Sequence, residues 1–170
     1  IGLAWIVLSW VVCLAYPAMR YLPQLGGTHW DLDGAVAQRV LSAVARVNGP
    51  GPGRTFLFTV SHRDSAELVW AQREHLDRGH PPVPVLAQNV RGRPAKQFDV
   101  WTDAQHYVGW DAILALEGLE PREGKIESLR DHFATLELVD TVELTFLGRV
   151  LRRVRLFACR DYQGPHLEAP

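Results

Sequence analysis

Residues 55–68 read TFLFTVSHRDSAEL, and this stretch sets the fold class. Thr55 to Val60 is short, β-branched, aromatic and almost wholly apolar, the composition of a strand. A strand with no polar face is one covered on both sides, as in the middle of an α/β sheet. Asp64 followed by Glu67 resembles a capping box with Asp in place of Ser or Thr. A helix is therefore expected from Ser65 to Asp77, ending at Gly79.

Upstream, Asp31 can cap a helix in which Leu32, Val36, Val40, Val44 and Val47 share one face. The run Asn48-Gly49-Pro50-Gly51-Pro52-Gly53 stops it. Downstream, Val83 to Ala87 is a second short strand, and residues 88–96 form a polar loop. Phe98 to Trp101 reads as a brief extended piece. Ala112 to Leu116 is another buried strand, and Ile126 to Phe133 is a helix aligning Ile126, Leu129 and Phe133. Thr141 to Phe146 and Val150 to Cys159 form a hairpin around Leu147-Gly148-Arg149. The alternation of strands and helices predicts an α/β sheet, parallel at first and antiparallel at its end.

The first nineteen residues, IGLAWIVLSWVVCLAYPAM, carry no charge. As a helix the run spans roughly 28 Å, close to the hydrocarbon thickness of a bilayer. Tyr16, Tyr21 and Trp30 suit the water interface on the exit side. Pro17 fits a helix that stops or kinks there. Only Ser9 interrupts the apolar surface, so a core helix with one polar face fits poorly. A cleaved signal would need a basic start and a better processing site than Ala15-Tyr16-Pro17-Ala18. The expectation is a transmembrane helix over residues 1–22 and a connector over 23–30. One small α/β domain follows over 31–164, with a mixed sheet, packed helices and a C-terminal β-hairpin. Residues 165–170 are a tail. The start at Ile1 rather than Met suggests a piece of a longer polypeptide.

Composition narrows the function. With 18 Lys and Arg against 19 Asp and Glu, the net charge is −1, which lacks the basic field of a general nucleic-acid binder. Two cysteines are too few for a disulfide framework or a zinc ribbon. A dinucleotide fold would place glycines directly after the first strand, but Ser61-His62-Arg63-Asp64-Ser65 has none. There is no P-loop and no Gly-x-Ser-x-Gly elbow. The seven histidines form no metal-binding pattern, and Gly79 and Pro81 break any helix joining His75 to His80. No cofactor or metal is expected. The segment 88–96 is more informative, because Arg91, Arg93 and Lys96 stand there without an acid. It leaves a strand end, where α/β sheets place ligand loops. Its arginines suit a phosphate or an anionic headgroup.

Several motifs then follow in a fixed order. His62-Arg63-Asp64 leads into Ser65-Ala66-Glu67-Leu68, and Val83-Pro84-Val85-Leu86 comes next. Arg91-Gly92-Arg93, Gln97-Phe98-Asp99-Val100-Trp101 and Gly109-Trp110-Asp111-Ala112-Ile113 follow, and a basic strand from Arg149 to Cys159 closes the series. In this order, and after an apolar span, they resemble the C-terminal part of bacterial multi-pass glycosyltransferases of the protein O-mannosyltransferase and aminoarabinose-transferase superfamily. The similarity covers nearly the whole chain. It departs at the turn, where no tyrosine follows Arg63.

The resemblance implies the last membrane helix and an extracytoplasmic cap domain at the bacterial inner membrane. It implies sugar transfer from a polyprenyl-phosphate donor to a lipid, glycan or protein acceptor. The partners would be the rest of the protein's own membrane domain and membrane lipid, with no nucleic acid. The catalytic carboxylate of that family lies in the membrane region, so no catalytic residue is assigned here. Arg63, Arg91 and Arg93 are the candidates for holding a phosphate. Asp64, Glu67, Gln97, Asp99, Trp101 and Asp111 are motif positions with a structural role as the simpler account. The competing expectations are a single-span anchored binding domain without catalysis and a soluble enzyme released from a signal sequence.

Overall fold

The computed structural model describes residues 5, 6, 9–13, 35–48, 53–77, 79, 81–87, 90, 103–118, 123–146 and 149–165. Helix α1 spans Ala35–Asn48 and strand β1 spans Thr55–Phe58. Helices α2 (His62–Ala71) and α3 (Arg73–Asp77) lead to β2 (Val85–Leu86). A 3-10 turn at Ala104–Tyr107 precedes β3 (Asp111–Glu117). Helix α4 (Glu123–Arg130) is followed by the long strands β4 (Phe133–Phe146) and β5 (Arg149–Tyr162).

The sheet order is β2-β1-β3-β5-β4. β1 pairs parallel with both β2 and β3, while β5 pairs antiparallel with β3 and β4. The result is a small α/β fold on a mixed five-stranded sheet, parallel in its first half and antiparallel in its second. β1 is fully buried along its length, as its lack of a polar face requires. On one face Leu57, Ile113, Ala115, Val154 and Leu156 meet Val36, Val40, Ala43 and Val44 of α1 and Leu68 of α2. On the other, Phe56, Phe58, Leu114 and Leu116 meet Val90, Ala104, Leu129, Phe133 and Tyr162. The path from β1 to β2 thus covers one face, and that from β2 to β3 covers the other. The two crossovers run in opposite directions across the sheet, so a common right-handed sense requires opposite faces.

Several boundaries differ from the sequence reading, each for a local reason. The helix after β1 starts at His62, so Ser61 is the N-cap and Asp64 lies within the first turn. That helix breaks at Gln72, whose buried side chain donates to Val83 O (3.0 Å) and accepts from Val83 N (2.8 Å). Gly79 closes the region at φ +80°, donating its N–H to Leu76 O. Phe133 is not on the helix with Ile126 and Leu129. The turn at Asp131 and His132 ends α4, and Phe133 opens β4 while still joining their cluster. The hairpin is much longer than expected, with fourteen residues in each strand. β3 reaches only Val154 to Cys159 of β5, so the hairpin overhangs the sheet beyond Glu117.

The expected membrane helix over residues 1–22 is not supported: among the described residues no helix is long and apolar enough to cross a bilayer. Residues 5, 6 and 9–13 are helical, and Trp5, Ile6, Trp10, Val11 and Val12 are all exposed. The expected piece at Phe98 to Trp101 and most of the 88–96 loop lie outside the described residues.

Candidate functional site

Parallel strands that diverge in connection leave a crevice at their carboxyl ends, which is where open α/β sheets bind ligands. Here that point lies between β1 and β3, beyond Phe58 and Glu117. The turn after β1 is held rigidly. Ser65 Oγ donates to Leu86 O at 2.8 Å and lies 2.9 Å from Thr59 Oγ1. Thr59 Oγ1 accepts from Ser61 N at 3.2 Å. Thr59 and Ser65 are both fully buried, so these bonds fasten the start of α2 to the ends of β1 and β2.

The turn presents Arg63, Asp64 and Glu67. Burial pushes the Asp64 carboxyl up from 3.8 to about 6, and the nearby charges of Glu117 and Glu67 push the same way. Arg63 and a hydrogen bond with the Ser61 side chain oppose the rise. Glu117 sits at the end of β3 with Arg152 Nη1 3.4 Å from its Oε1. Arg63 lies 3.9 Å from Glu67 across one turn of an exposed helix face, a weak pair. Asp64 is therefore a carboxyl poised to exchange a proton near neutrality, beside a second carboxylate steadied by an arginine. Among the described residues, three carboxylates face two guanidiniums at this edge. That balance suits a hydroxyl- or amine-bearing ligand better than a phosphate.

The candidate residues fall into three groups. Arg63, Asp64 and Glu67 come together at the carboxyl edge. Asp111 stands at the opposite edge, at the start of β3, where its carboxylate pairs with Arg160 and accepts from Asp161 N at 3.1 Å. This bond holds Asp161 at φ 54°, a left-handed conformation that Asp tolerates. Asp111 thus ties the start of β3 to the end of β5. Arg91, Arg93, Gln97, Asp99 and Trp101 lie outside the described residues.

Sequence reasoning missed Glu117 and Arg152. Neither belongs to a local motif, and only the pairing of β3 with β1 and β5 brings them to the edge. Among the described residues, no group of three or more His, Cys, Asp or Glu side chains is placed to hold a metal ion. No protein-family model, curated protein or solved structure matches the chain significantly.

Proposed function

We propose that this chain is the anchored terminal domain of a membrane glycosyltransferase that moves a sugar from a polyprenyl-phosphate donor to a lipid, glycan or protein acceptor. The observation that carries this reading is the uncharged run at residues 1–19, whose described helical residues turn two tryptophans and three aliphatic side chains outward. Apolar surface of that kind needs a cover, and a bilayer supplies one. The α/β body would then stand at the extracytoplasmic face of the bacterial inner membrane. Bond-breaking chemistry in this reading belongs to membrane segments outside this sequence. Among the described residues the carboxyl edge offers Asp64 and Glu117, which suits an acceptor, while donor phosphate binding in this reading falls to Arg91 and Arg93. The same acid-rich edge also fits an anchored glycan-binding domain without catalysis.

The test uses the native protein in its own membranes. Washing in alkaline carbonate should leave it in the pellet, and the detergent-purified protein should transfer label from a polyprenyl-phosphate sugar. Release into the wash refutes the anchor. Retention without transfer leaves the non-catalytic binding domain. Arg91→Ala with Arg93→Ala should impair transfer with an unchanged melting temperature; normal transfer would remove those residues from donor binding.

A further inference from the structure

The outer flank of α1 carries a half-open surface depression of about 410 Å³ lined by Gln38, Arg39, Ser42 and Arg46. That volume falls within the range of small-ligand sites. Arg39 and Arg46 are seven residues apart, two helical turns, so they project from the same flank. Their guanidiniums also approach one atom outside the lining: Arg39 Nη1 is 3.5 Å and Arg46 Nη2 3.7 Å from Asp140 Oδ2 on β4. Asp140 is itself fixed, since its Oδ1 accepts from Thr141 N at 2.8 Å.

From this geometry we infer that the depression on the α1 flank is a phosphate-group site, with Arg39 and Arg46 as its two cationic arms. Among the described residues two guanidiniums face one carboxylate, a surplus of one positive charge. Both contacts are longer than the roughly 2.7–2.9 Å of a well-formed charged hydrogen bond, so Asp140 does not saturate either fork. Arg39 and Arg46 are about three-fifths exposed, leaving N–H donors directed at solvent and the depression. Gln38 adds an amide donor at the rim. Ser42 Oγ donates to Gln38 O at 2.7 Å and can swing that hydroxyl toward an incoming oxygen. Asp140 acts as the resident counter-ion that aligns the arginines and yields when a doubly charged phosphate arrives. A planar guanidinium pair takes phosphate oxygens by parallel bonds, which a lysine pair would not. This site is separate from the carboxyl edge and does not depend on the membrane anchoring proposed above.

The ligand's phosphate can belong to a lipid headgroup or to a free phosphate, and two probes separate them. The full chain in uncharged detergent is titrated with sodium phosphate and, separately, with monomeric short-chain phosphatidylglycerol. Saturable binding of either probe is expected, and it should weaken about tenfold or more in Arg39→Gln with Arg46→Gln. Binding of inorganic phosphate identifies a free ligand; binding of phosphatidylglycerol alone identifies the headgroup. Arg130→Gln, on α4 against the other face of the sheet, should leave both titrations unchanged. Asp140→Asn keeps the Oδ1 acceptor for Thr141 but removes the competing charge, so it should tighten binding severalfold. A purely structural Arg39–Asp140–Arg46 bridge would give no such gain. Failure of both probes to bind, or equal binding in wild type and the double arginine variant, overturns the site.

Discussion

Replacing Asp64 with Asn should stabilise the fold at neutral pH and leave it unchanged in acid. In the folded chain the Asp64 carboxyl holds its proton up to about pH 6, against an ordinary value of 3.8. A folded value above the unfolded one means that the native state binds the proton more tightly. Stability then grows as pH falls through 6, and the gain is complete below about 4. Above 6 the ionised carboxylate works against folding. For a group wholly out of water the difference corresponds to roughly 3 kcal/mol. Asp64 is only half-buried, so solvent screening reduces this to about 1–2 kcal/mol. Its charge also gains about 0.5 kcal/mol from the N-terminus of α2, which Asn forfeits. The net expectation is about 1 kcal/mol in favour of Asp64→Asn at pH 7.5, or a rise in Tm of about 2–4 °C. Asn still accepts from the Ser61 hydroxyl, so that contact survives. Urea midpoints for both proteins, followed by circular dichroism from pH 4 to 8, decide the matter. A variant less stable than wild type at pH 7.5, or a difference that does not change with pH, would refute the reasoning.

Three further outcomes follow from the packing. Tyr162→Phe removes the donor of the 2.7 Å bond to Val90 O and leaves that carbonyl buried, costing about 1–2 kcal/mol by denaturant titration. Gln72→Ala strips Val83 N and O of their partner and should cost about 1–3 kcal/mol, with faster proteolysis near residues 72–84. Ile113→Ala opens a cavity in the central strand and should cost about 2–5 kcal/mol, whereas Leu138→Ala, more than half exposed, should stay within about 0.5 kcal/mol.

What could be read from sequence was set by the range of the interactions. β1 and β3 were legible because a run of apolar residues without alternation is enough to mark a doubly covered strand. The face of α1 was legible because Val36, Val40 and Val44 repeat at the helical period. The N-terminus of α2 was misplaced because Asp64-x-x-Glu67 imitates a cap, while the true cap at Ser61 depends on Thr59 and Leu86. Phe133 was misassigned because its spacing from Ile126 and Leu129 suits a helix, and it enters their cluster from a strand instead. At the candidate sites, Arg63, Asp64 and Glu67 are neighbours in sequence and could be grouped in advance. Glu117 and Arg152 are joined to them only through strand register. Arg39 and Arg46 lie off the valine face of α1, and Asp140 reaches them from 94 positions beyond Arg46, a contact that only the placement of β4 creates.

The overhang of β4 and β5 also sets an expectation for hydrogen exchange. From Val154 to Cys159 β5 has a strand on each side; before Val154 it pairs with β4, with one bond from Gly118 N to Arg153 O at 3.0 Å on the β3 side. A two-stranded ribbon without a sheet to lie on is marginal in water. Its amides should open by local fraying and exchange with solvent deuterium far sooner than those of Leu156 or Ala158, whose release awaits global unfolding. Five residues of ribbon extend about 17 Å past β3. The ion pair between Arg152 and Glu117 lies where the ribbon leaves the sheet, so Arg152→Ala should speed that exchange.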